Sequence, residues 1–162
     1  FYSNLYARLY QDLYKQFKWI HKPLNITLKT FIQSYKEIET ISSVENYDLF
    51  CKIIKNNDRR LAILNFLVQL IKYGIVEAKF VYDIIYNIIT TTKNDATSKD
   101  EVQQLSEHLY IVVKEIKVVL KDHIIWNSII EHVDTYRQMK PNGNIAYKAI
   151  FKYMDINDLI KK

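Results

Sequence analysis

The chain has 162 residues, a length that suits a single domain with a full hydrophobic core. Its 49% hydrophobic and 25% charged residues exclude a disordered chain. The formal net charge of +5 is compatible with nucleic acid, with an acidic partner or simply with solubility. Only two glycines and two prolines occur, whereas average usage would give roughly 11 and 8. Because sheets and phosphate loops need glycine for tight turns, we predict a chain built of helices.

The first predicted helix covers about residues 3–19 and carries two apolar stripes, each repeating every four residues. The stripes are Leu5, Leu9 and Leu13, and Tyr6, Tyr10 and Tyr14. Together they cover more than half of the helix, whereas a surface helix needs one stripe of about 100°. We therefore expect this helix to be flanked by others, as in a layered bundle or a solenoid.

A second helix is predicted at about residues 27–41, where apolar residues follow the three-four spacing. A third segment, at about residues 47–56, leads into a predicted turn at which Asp58 is the N-cap of the next helix. That helix, residues 59–73, is the most apolar stretch, and we expect it to be central and buried. Gly74 is predicted to end it in the left-handed conformation.

The rest of the chain alternates helical and polar segments. In order, we predict a helix at 76–90, a polar loop at 91–100, two helices dividing 101–122, a helix at 124–138, a turn at 140–143 and a helix at 145–160. The whole chain then has about seven or eight helices in sequential antiparallel pairs. This order favours an all-α fold, an α-α superhelix of HEAT-like pairs over residues 1–162, with a compact bundle as the alternative.

Side chains able to carry catalysis or bind metal are few and scattered. No histidine lies in a zinc-binding spacing, and we interpret all four as surface or half-buried. They are His21, His108, His123 and His132. We expect Cys51 to be a small buried hydrophobic residue and Asp155 and Asp158 to be helix surface. The sequence thus predicts no enzyme, no cofactor, no metal and no small-molecule substrate.

The lone cysteine cannot form an internal disulfide, so we expect a reducing, cytoplasmic location. No window approaches 18 consecutive apolar residues, and residues 1–10 lack the charged-then-apolar order of a signal peptide. We therefore expect no membrane partner. Because the chain does not begin with Met, we expect it to be an excised domain.

Two groups of basic residues could each neutralise phosphates of RNA. One lies near a helix junction and comprises Lys52, Lys55, Arg59 and Arg60. The other has spacings of three and four, which place it on one helix face, and comprises Lys114, Lys117 and Lys121. For each group the alternative is an ordinary solvated surface.

Three segments match one set of family patterns in order and spacing. Residues 2–9, YSNLYARL, resemble Y-S-x-L-Y-A-x-L. Residues 60–72, RLAILNFLVQLIK, are similar to L-G-N-I-[KR]-F-I-G-E-L-x-K, and residues 151–159, FKYMDINDL, to R-[IF]-x-F-x-x-x-D-x-x-[DE]-L. Over nearly its whole length the chain therefore resembles the middle domain of the translation initiation factor 4-gamma family.

The chain departs from these patterns at several positions. Ile63 stands where the family favours Asn, Gln69 where it favours Glu, and Lys148 near a usual Arg. Ala62 and Val68 replace its small glycines. We therefore expect a divergent member, for which a viral or parasitic genome is one source. The chain opens on what resembles the second helix of the family's first pair, so we expect the first helix to lie outside it.

The resemblance implies a translation-initiation scaffold that binds and stimulates a DEAD-box RNA helicase of the initiation factor 4A type and contacts mRNA. Such a scaffold holds both helicase lobes in a productive orientation and does no chemistry itself. It implies helicase contacts at Lys148, Phe151 and Lys152, and RNA contacts at Lys114, Lys117 and Lys121. Phe151 has an alternative interpretation as a core residue, because it is apolar and on a helical period.

Two other functions stay open. Related middle domains serve in mRNA decay, nuclear cap binding, splicing and ribosome biogenesis, so the same fold could act in another pathway. The chain could also be a helical RNA-binding module that needs no helicase.

Overall fold

A computed structural model describes residues 2–34 and 46–162. Over these residues the chain is helical, with seven α-helices and a short 3-10 helix at Lys18–Ile20. The α-helices are α1 (Ser3–Gln16), α2 (His21–Ser34), α3 (Tyr47–Lys72), α4 (Lys79–Thr92), α5 (Lys99–Leu120), α6 (Ile125–Arg137) and α7 (Tyr147–Lys161). The predicted all-helical class is confirmed.

The helices stack in two rows that follow their order in the chain. In the odd-numbered row α3 contacts α1 on one side and α5 on the other, and α5 contacts α7. In the even-numbered row α4 contacts both α2 and α6. Contacts of α4 with α5 and of α6 with α7 join the rows, and buried apolar side chains from both rows form a continuous core. Stacking of successive helices in two rows is typical of helical-repeat folds.

The long helix α3 replaces two predicted ones. The turn expected at residues 56–58, with Asp58 as N-cap, is wrong, because the helix runs unbroken over Tyr47–Lys72. Neither glycine nor proline interrupts it, and Asn or Asp weakens a helix without ending it when packing supports both halves. Asn57 is itself buried within the helix. The N-cap is Asn46, whose side chain accepts a hydrogen bond from a first-turn backbone N–H.

Gly74 ends α3 as predicted. Its φ of +67° lies in the left-handed region, where a residue with a Cβ is strained. The Gly74 N–H donates to the Ile71 carbonyl and the Ile75 N–H to the Leu70 carbonyl, both at 2.9 Å. This pair of bonds is the Schellman motif, which satisfies carbonyls that the helix end would leave unpaired.

The two helices predicted within residues 101–122 form one helix with a kink. α5 is continuous except at Ile116, whose backbone is non-helical with φ −131° and ψ 19°. Past the kink, Val118 and Val119 are exposed despite their apolar character. The bounds of α4, α6 and α7 lie within three residues of the predicted ones.

The first helix ends earlier than predicted, and the second begins earlier. α1 ends at Gln16, and α2 begins at His21 with Pro23 in its first turn, where a missing N–H costs no helical hydrogen bond. Residues 35–41 of the predicted second helix lie outside the described residues. Within the described residues α1 packs chiefly against α3, and Ala7 is its one buried residue.

Cys51 is exposed on α3, so its expected burial is wrong. The buried residue in this turn is Ile53, which lies about 200° from Cys51 around the helix. The apolar spacing of α3 therefore turns the thiol toward solvent.

Candidate protein-binding surface on the last helix

The last helix, α7, turns one apolar face to the core. The residues of this face, spaced by one, three and three, are Ala149, Ile150, Tyr153 and Ile156. They pack against α5 and α6. At the end of the helix, Lys117 Nζ on α5 donates a 2.9 Å hydrogen bond to the Leu159 carbonyl. A cation at the last carbonyls also interacts favourably with the helix dipole, so α7 is held along its length.

A buried polar cluster fixes the middle of α7. The Tyr153 hydroxyl lies 3.1 Å from His132 Nε2 on α6, and both side chains are buried. Tyr136, one turn further along α6, donates a 2.6 Å hydrogen bond to the Thr92 carbonyl at the end of α4. The three rings lie 4.5–5.3 Å apart between centroids. The cluster joins α4, α6 and α7 through bonds whose loss would leave buried polar groups unpaired.

Burial sets the protonation of these groups. It lowers the pKa of His132 to about 4, and the charge of Lys93 acts in the same direction. It also raises the pKa of Tyr153 far above the ordinary value. His108 on α5 is buried too, and burial and the Arg60 charge lower its pKa to about 4. The prediction of surface or half-buried histidines is therefore wrong for both, which are neutral at pH 7.

The solvent side of α7 is apolar and aromatic. Tyr147, Phe151 and Met154, which we call the α7 face, are exposed at spacings of four and three. Phe151 is 58% exposed, so its alternative interpretation as a core residue is wrong. The Tyr147 and Phe151 rings stack with centroids 6.1 Å apart. Met139 and Pro141 border the same groove of about 510 Å³. Exposed apolar patches of this kind are typical of protein-binding surfaces.

The two predicted helicase-facing lysines differ in their surroundings. Lys148 is exposed beside the α7 face. Lys152 is half-buried, with its Nζ 3.3 Å from Asp155 Oδ2 and 4.5 Å from the centre of the Tyr110 ring on α5. The structure thus brings Lys148 and Phe151 to the surface together, while Lys152 is held against its own molecule.

The lysines predicted as one stripe on α5 do not share one environment. Lys114 and Lys121 are exposed. Lys117 is half-buried, and its ammonium is bonded to the Leu159 carbonyl. The kink at Ile116 also separates Lys114 from the other two. Lys114 and Lys121 therefore remain the better placed to contact phosphate.

The basic group on α3 divides in a similar way. Lys52, Lys55 and Arg59 are exposed, and their spacing of three and four places them on one face. Arg60 Nη1 donates a 2.6 Å hydrogen bond to Asn57 Oδ1, and the Arg60 charge acts on buried His108. Three of the four predicted residues thus share a solvent-facing surface.

The departure from the family pattern at Gln69 has a local physical reason. Gln69 is buried between α3 and α5, and its Nε2 donates a 2.8 Å hydrogen bond to Glu115 Oε2. Lys72 Nζ lies 3.2 Å from the same oxygen. Burial raises the pKa of Glu115, but these bonds and the nearby lysine charges outweigh it and lower the pKa. A glutamate at position 69 would instead place a second carboxylate beside that of Glu115, where the two negative charges would repel each other.

Sequence reasoning misses two residues of the α7 face, Tyr147 and Met154. Their signal is the helical spacing from Phe151, four residues before and three after. Thirteen tyrosines spread along the chain make that signal hard to recognise in the sequence. Its significance depends on which side of α7 the core covers, which the spacing alone does not reveal.

No model of a protein family, no curated protein and no solved structure matches this chain. The resemblance to the initiation factor 4-gamma middle domain therefore stands on the three sequence patterns alone. Among the described residues, no group of three or more His, Cys, Asp or Glu could hold a metal ion. None of the described helices has the length and hydropathy needed to cross a bilayer.

Proposed function

We propose that this chain is a translation-initiation scaffold of the initiation factor 4-gamma middle-domain type, which binds and stimulates a DEAD-box RNA helicase of the 4A type. The observation that carries the proposal is the α7 face, with Lys148 at its edge, in the segment where the resemblance implies helicase contact. Exposed aromatic side chains that become buried on association supply much of the binding energy of protein interfaces. The two-row helical fold agrees with the proposed family.

The scaffold acts by pre-organisation. The buried cluster around Tyr153 and the bond from Lys117 fix α7, so the face loses little conformational entropy on binding. A two-lobed helicase alternates between open and closed arrangements, and a partner that binds the closed one more tightly raises its population. Turnover then rises without any residue of the scaffold entering the reaction. The proposed location is the cytoplasm, where initiation takes place.

The test is the ATPase rate of a 4A-type helicase with and without the chain, with affinity measured in parallel. We expect a several-fold increase in turnover. Phe151→Ala should weaken binding about tenfold, as for a central aromatic contact, and Lys148→Glu should weaken it less. Tyr86→Ala is the matched control, because Tyr86 is as exposed as Phe151 but lies on α4.

Two outcomes would count against this proposal. If the chain neither binds the helicase nor changes its turnover, the helicase scaffold is wrong. If it binds but Phe151→Ala and Tyr86→Ala behave alike, the α7 face is not the contact. A related scaffold in mRNA decay, cap binding or splicing would show the same binding with the helicase of its own pathway in place of the 4A type.

RNA binding without a helicase is the second candidate function. The observation that favours it is the pair of exposed basic surfaces, Lys52, Lys55 and Arg59 on α3, and Lys114 and Lys121 on α5. The test is affinity for single-stranded RNA over a range of salt concentrations. Each lost phosphate contact should reduce the slope of log affinity against log salt by about 0.7 to 1. Lys55→Glu and Lys114→Glu probe the two surfaces, and Lys99→Glu, at the exposed start of α5, is the control.

A further inference from the structure

A groove lies on the surface between α2 and α3. Its volume is about 480 Å³, within the range of about 300–1,000 Å³ that is typical of small-ligand sites. Buried Phe31 and half-buried Ile63 form its apolar floor, and exposed Ile26 borders it. The polar and basic residues of the lining include Thr27, Thr30, Asn56 and Arg59. The groove therefore combines an apolar surface with hydrogen-bonding and cationic groups.

The α3 side of the groove carries a row of positive charge. Lys52, Lys55 and Arg59, spaced by three and four, share one helix face, and Arg59 also lines the groove. None of these three side chains forms a hydrogen bond or an ion pair with another described residue. Asp48, one turn before Lys52, is the single acidic residue on this face of α3. The row extends about 10 Å along the helix and keeps its cationic groups available for a ligand.

The α2 side adds further positive charge. Lys22 and Lys29 are exposed, and they flank Ile26 on the helix surface, four residues before it and three after. α2 contains neither aspartate nor glutamate. The Thr27 and Thr30 hydroxyls donate to carbonyls one turn earlier in their own helix, so their oxygens can still accept hydrogen bonds. Cations and hydrogen-bond acceptors thus face the groove from α2 as well.

We propose that this groove binds one nucleotide of a single-stranded RNA. The base lies in the groove, and the adjoining phosphates lie along Lys52, Lys55 and Arg59. Asn56 is exposed and forms no hydrogen bond with another described residue, so its amide can both donate to and accept from the edge of a base. The inference rests on the second candidate function, RNA binding, and adds to it a place where a base is held.

The make-up of the groove favours single-stranded RNA over a duplex and over an acidic peptide. The bases of a duplex are paired and stacked, so none can enter a groove on a protein. A single strand offers a flat apolar base with a polar edge beside a row of phosphates, which match the apolar floor, Asn56 and the row of cations. An acidic peptide would pair with the cations, but its carboxylates would leave the floor at Phe31 and Ile63 uncovered.

Affinity for two short RNAs with identical phosphates tests the proposal. One is an oligoadenylate, and the other has abasic ribose at every position. We expect the oligoadenylate to bind about tenfold more tightly. Asn56→Ala should remove most of this preference and leave the affinity for the abasic RNA unchanged. Asn127→Ala, at an exposed asparagine of α6, is the matched control and should change neither affinity.

A second pair of variants tests the location. Thr30→Glu places a carboxylate in the groove and should weaken the binding of both RNAs about tenfold or more. Thr90→Glu makes the same change of charge on α4, at an exposed threonine whose hydroxyl also bonds to the carbonyl one turn earlier. It should have a much smaller effect. All the substituted positions are exposed, so circular dichroism should show unchanged helix content.

The outcomes separate the groove from RNA binding itself. If neither RNA binds, both this inference and the second candidate function are wrong. If RNA binds in a salt-dependent way but the two RNAs bind equally, or Asn56→Ala behaves like Asn127→Ala, RNA binding stands and the groove does not hold a base. If an acidic peptide of equal charge displaces the oligoadenylate as well as unlabelled RNA does, the groove belongs to an acidic protein segment instead.

Discussion

The first and last helices of the odd-numbered row, α1 and α7, are both amphipathic. The core buries the large apolar residues on one face of α7, but it leaves most of those of α1 exposed. α7 buries Ile150, Tyr153 and Ile156, while Phe151 stands on its solvent side. α1 buries Ala7 and leaves its leucines in solvent. Among the described helices, α7 packs against both α5 and α6, whereas α1 packs chiefly against α3.

The number of neighbours explains the difference. A helix between two others buries a wide face, and its stability comes from packing. A helix with one neighbour relies on a narrow contact and on polar bonds, which contribute less free energy each. An apolar stripe in the sequence therefore predicts a face that favours burial. It does not predict whether other helices of the same chain bury that face. Four predictions test this contrast, in order of decreasing effect.

The largest expected effect is the loss of Tyr153. Tyr153→Ala would open a cavity at the centre of the buried cluster and unpair His132, which should lower the free energy of unfolding by about 3–5 kcal/mol. Tyr6→Ala, at an exposed position of α1, is the matched control and should change it by less than about 0.5 kcal/mol. Urea denaturation at low protein concentration measures both. Equal losses would contradict the assignment of the two helices to core and surface.

The second-largest expected effect is a loss of folding stability in acid, through His132 beside α7. The pKa of His132 is about 4 in the folded chain and 6.5 in the unfolded one. The unfolded state therefore binds more protons between these values, so stability is complete above pH 6.5 and is lost as the pH falls toward 4. The loss through His132 should be on the order of 2–3 kcal/mol.

Urea denaturation at pH 7 and pH 4.5 checks this expectation. His132→Gln should remove about half of the pH dependence, because buried His108 has the same folded pKa of about 4 and keeps its share, and the variant should also lower stability at pH 7. His108→Gln, at the other buried histidine, should remove the remaining share, and the double variant should flatten the response. An unchanged slope in His132→Gln would show that another group controls the acid response.

A smaller effect is expected at the end of α7. Lys117→Met removes the hydrogen bond to the Leu159 carbonyl and the favourable charge at the helix end, at a cost of about 1 kcal/mol. Lys55→Met, in the middle of α3, removes an exposed charge that lies at no helix end and should cost almost nothing. Thermal unfolding compares the melting temperatures of the two variants. If they are similar, Lys117 does not stabilise the end of α7.

The smallest effect concerns the attachment of α1. Tyr73→Phe removes the bonds to Asn4 and Arg8, which are exposed, so global stability should fall by less than about 1 kcal/mol. Hydrogen exchange should nevertheless quicken at the amides of α1. The amides of α7 serve as the internal control, and faster exchange in both helices would show that Tyr73 supports the whole fold.

The helical class and most helix bounds follow from the sequence, because scarce glycine and three-four spacing are local properties. Gly74 could be placed for the same reason, since one residue with positive φ ends a helix wherever it lies. The errors arise where packing overrides local preference. Residues 56–58 read as a turn, but they contain neither glycine nor proline and Asn57 is buried, so the helix runs through them.

The candidate site was predictable in part. Phe151 and Lys148 could be named from the resemblance to family patterns. The separation of Lys117 from Lys114 and Lys121 could not, because it depends on the carbonyl of Leu159, 42 residues away in the chain. Cys51 and His132 were misjudged for a related reason, since hydropathy does not reveal which helix face meets a neighbour.

By itself, the sequence determined that this protein is all helical, where most of its helices lie and how α3 ends. These features depend on backbone sterics and on residue spacing within a few turns. Only the tertiary structure decided that Tyr153 is enclosed while Phe151 and Leu9 meet solvent. Burial depends on how many helices surround a position, and that number is fixed by contacts between residues far apart in the chain.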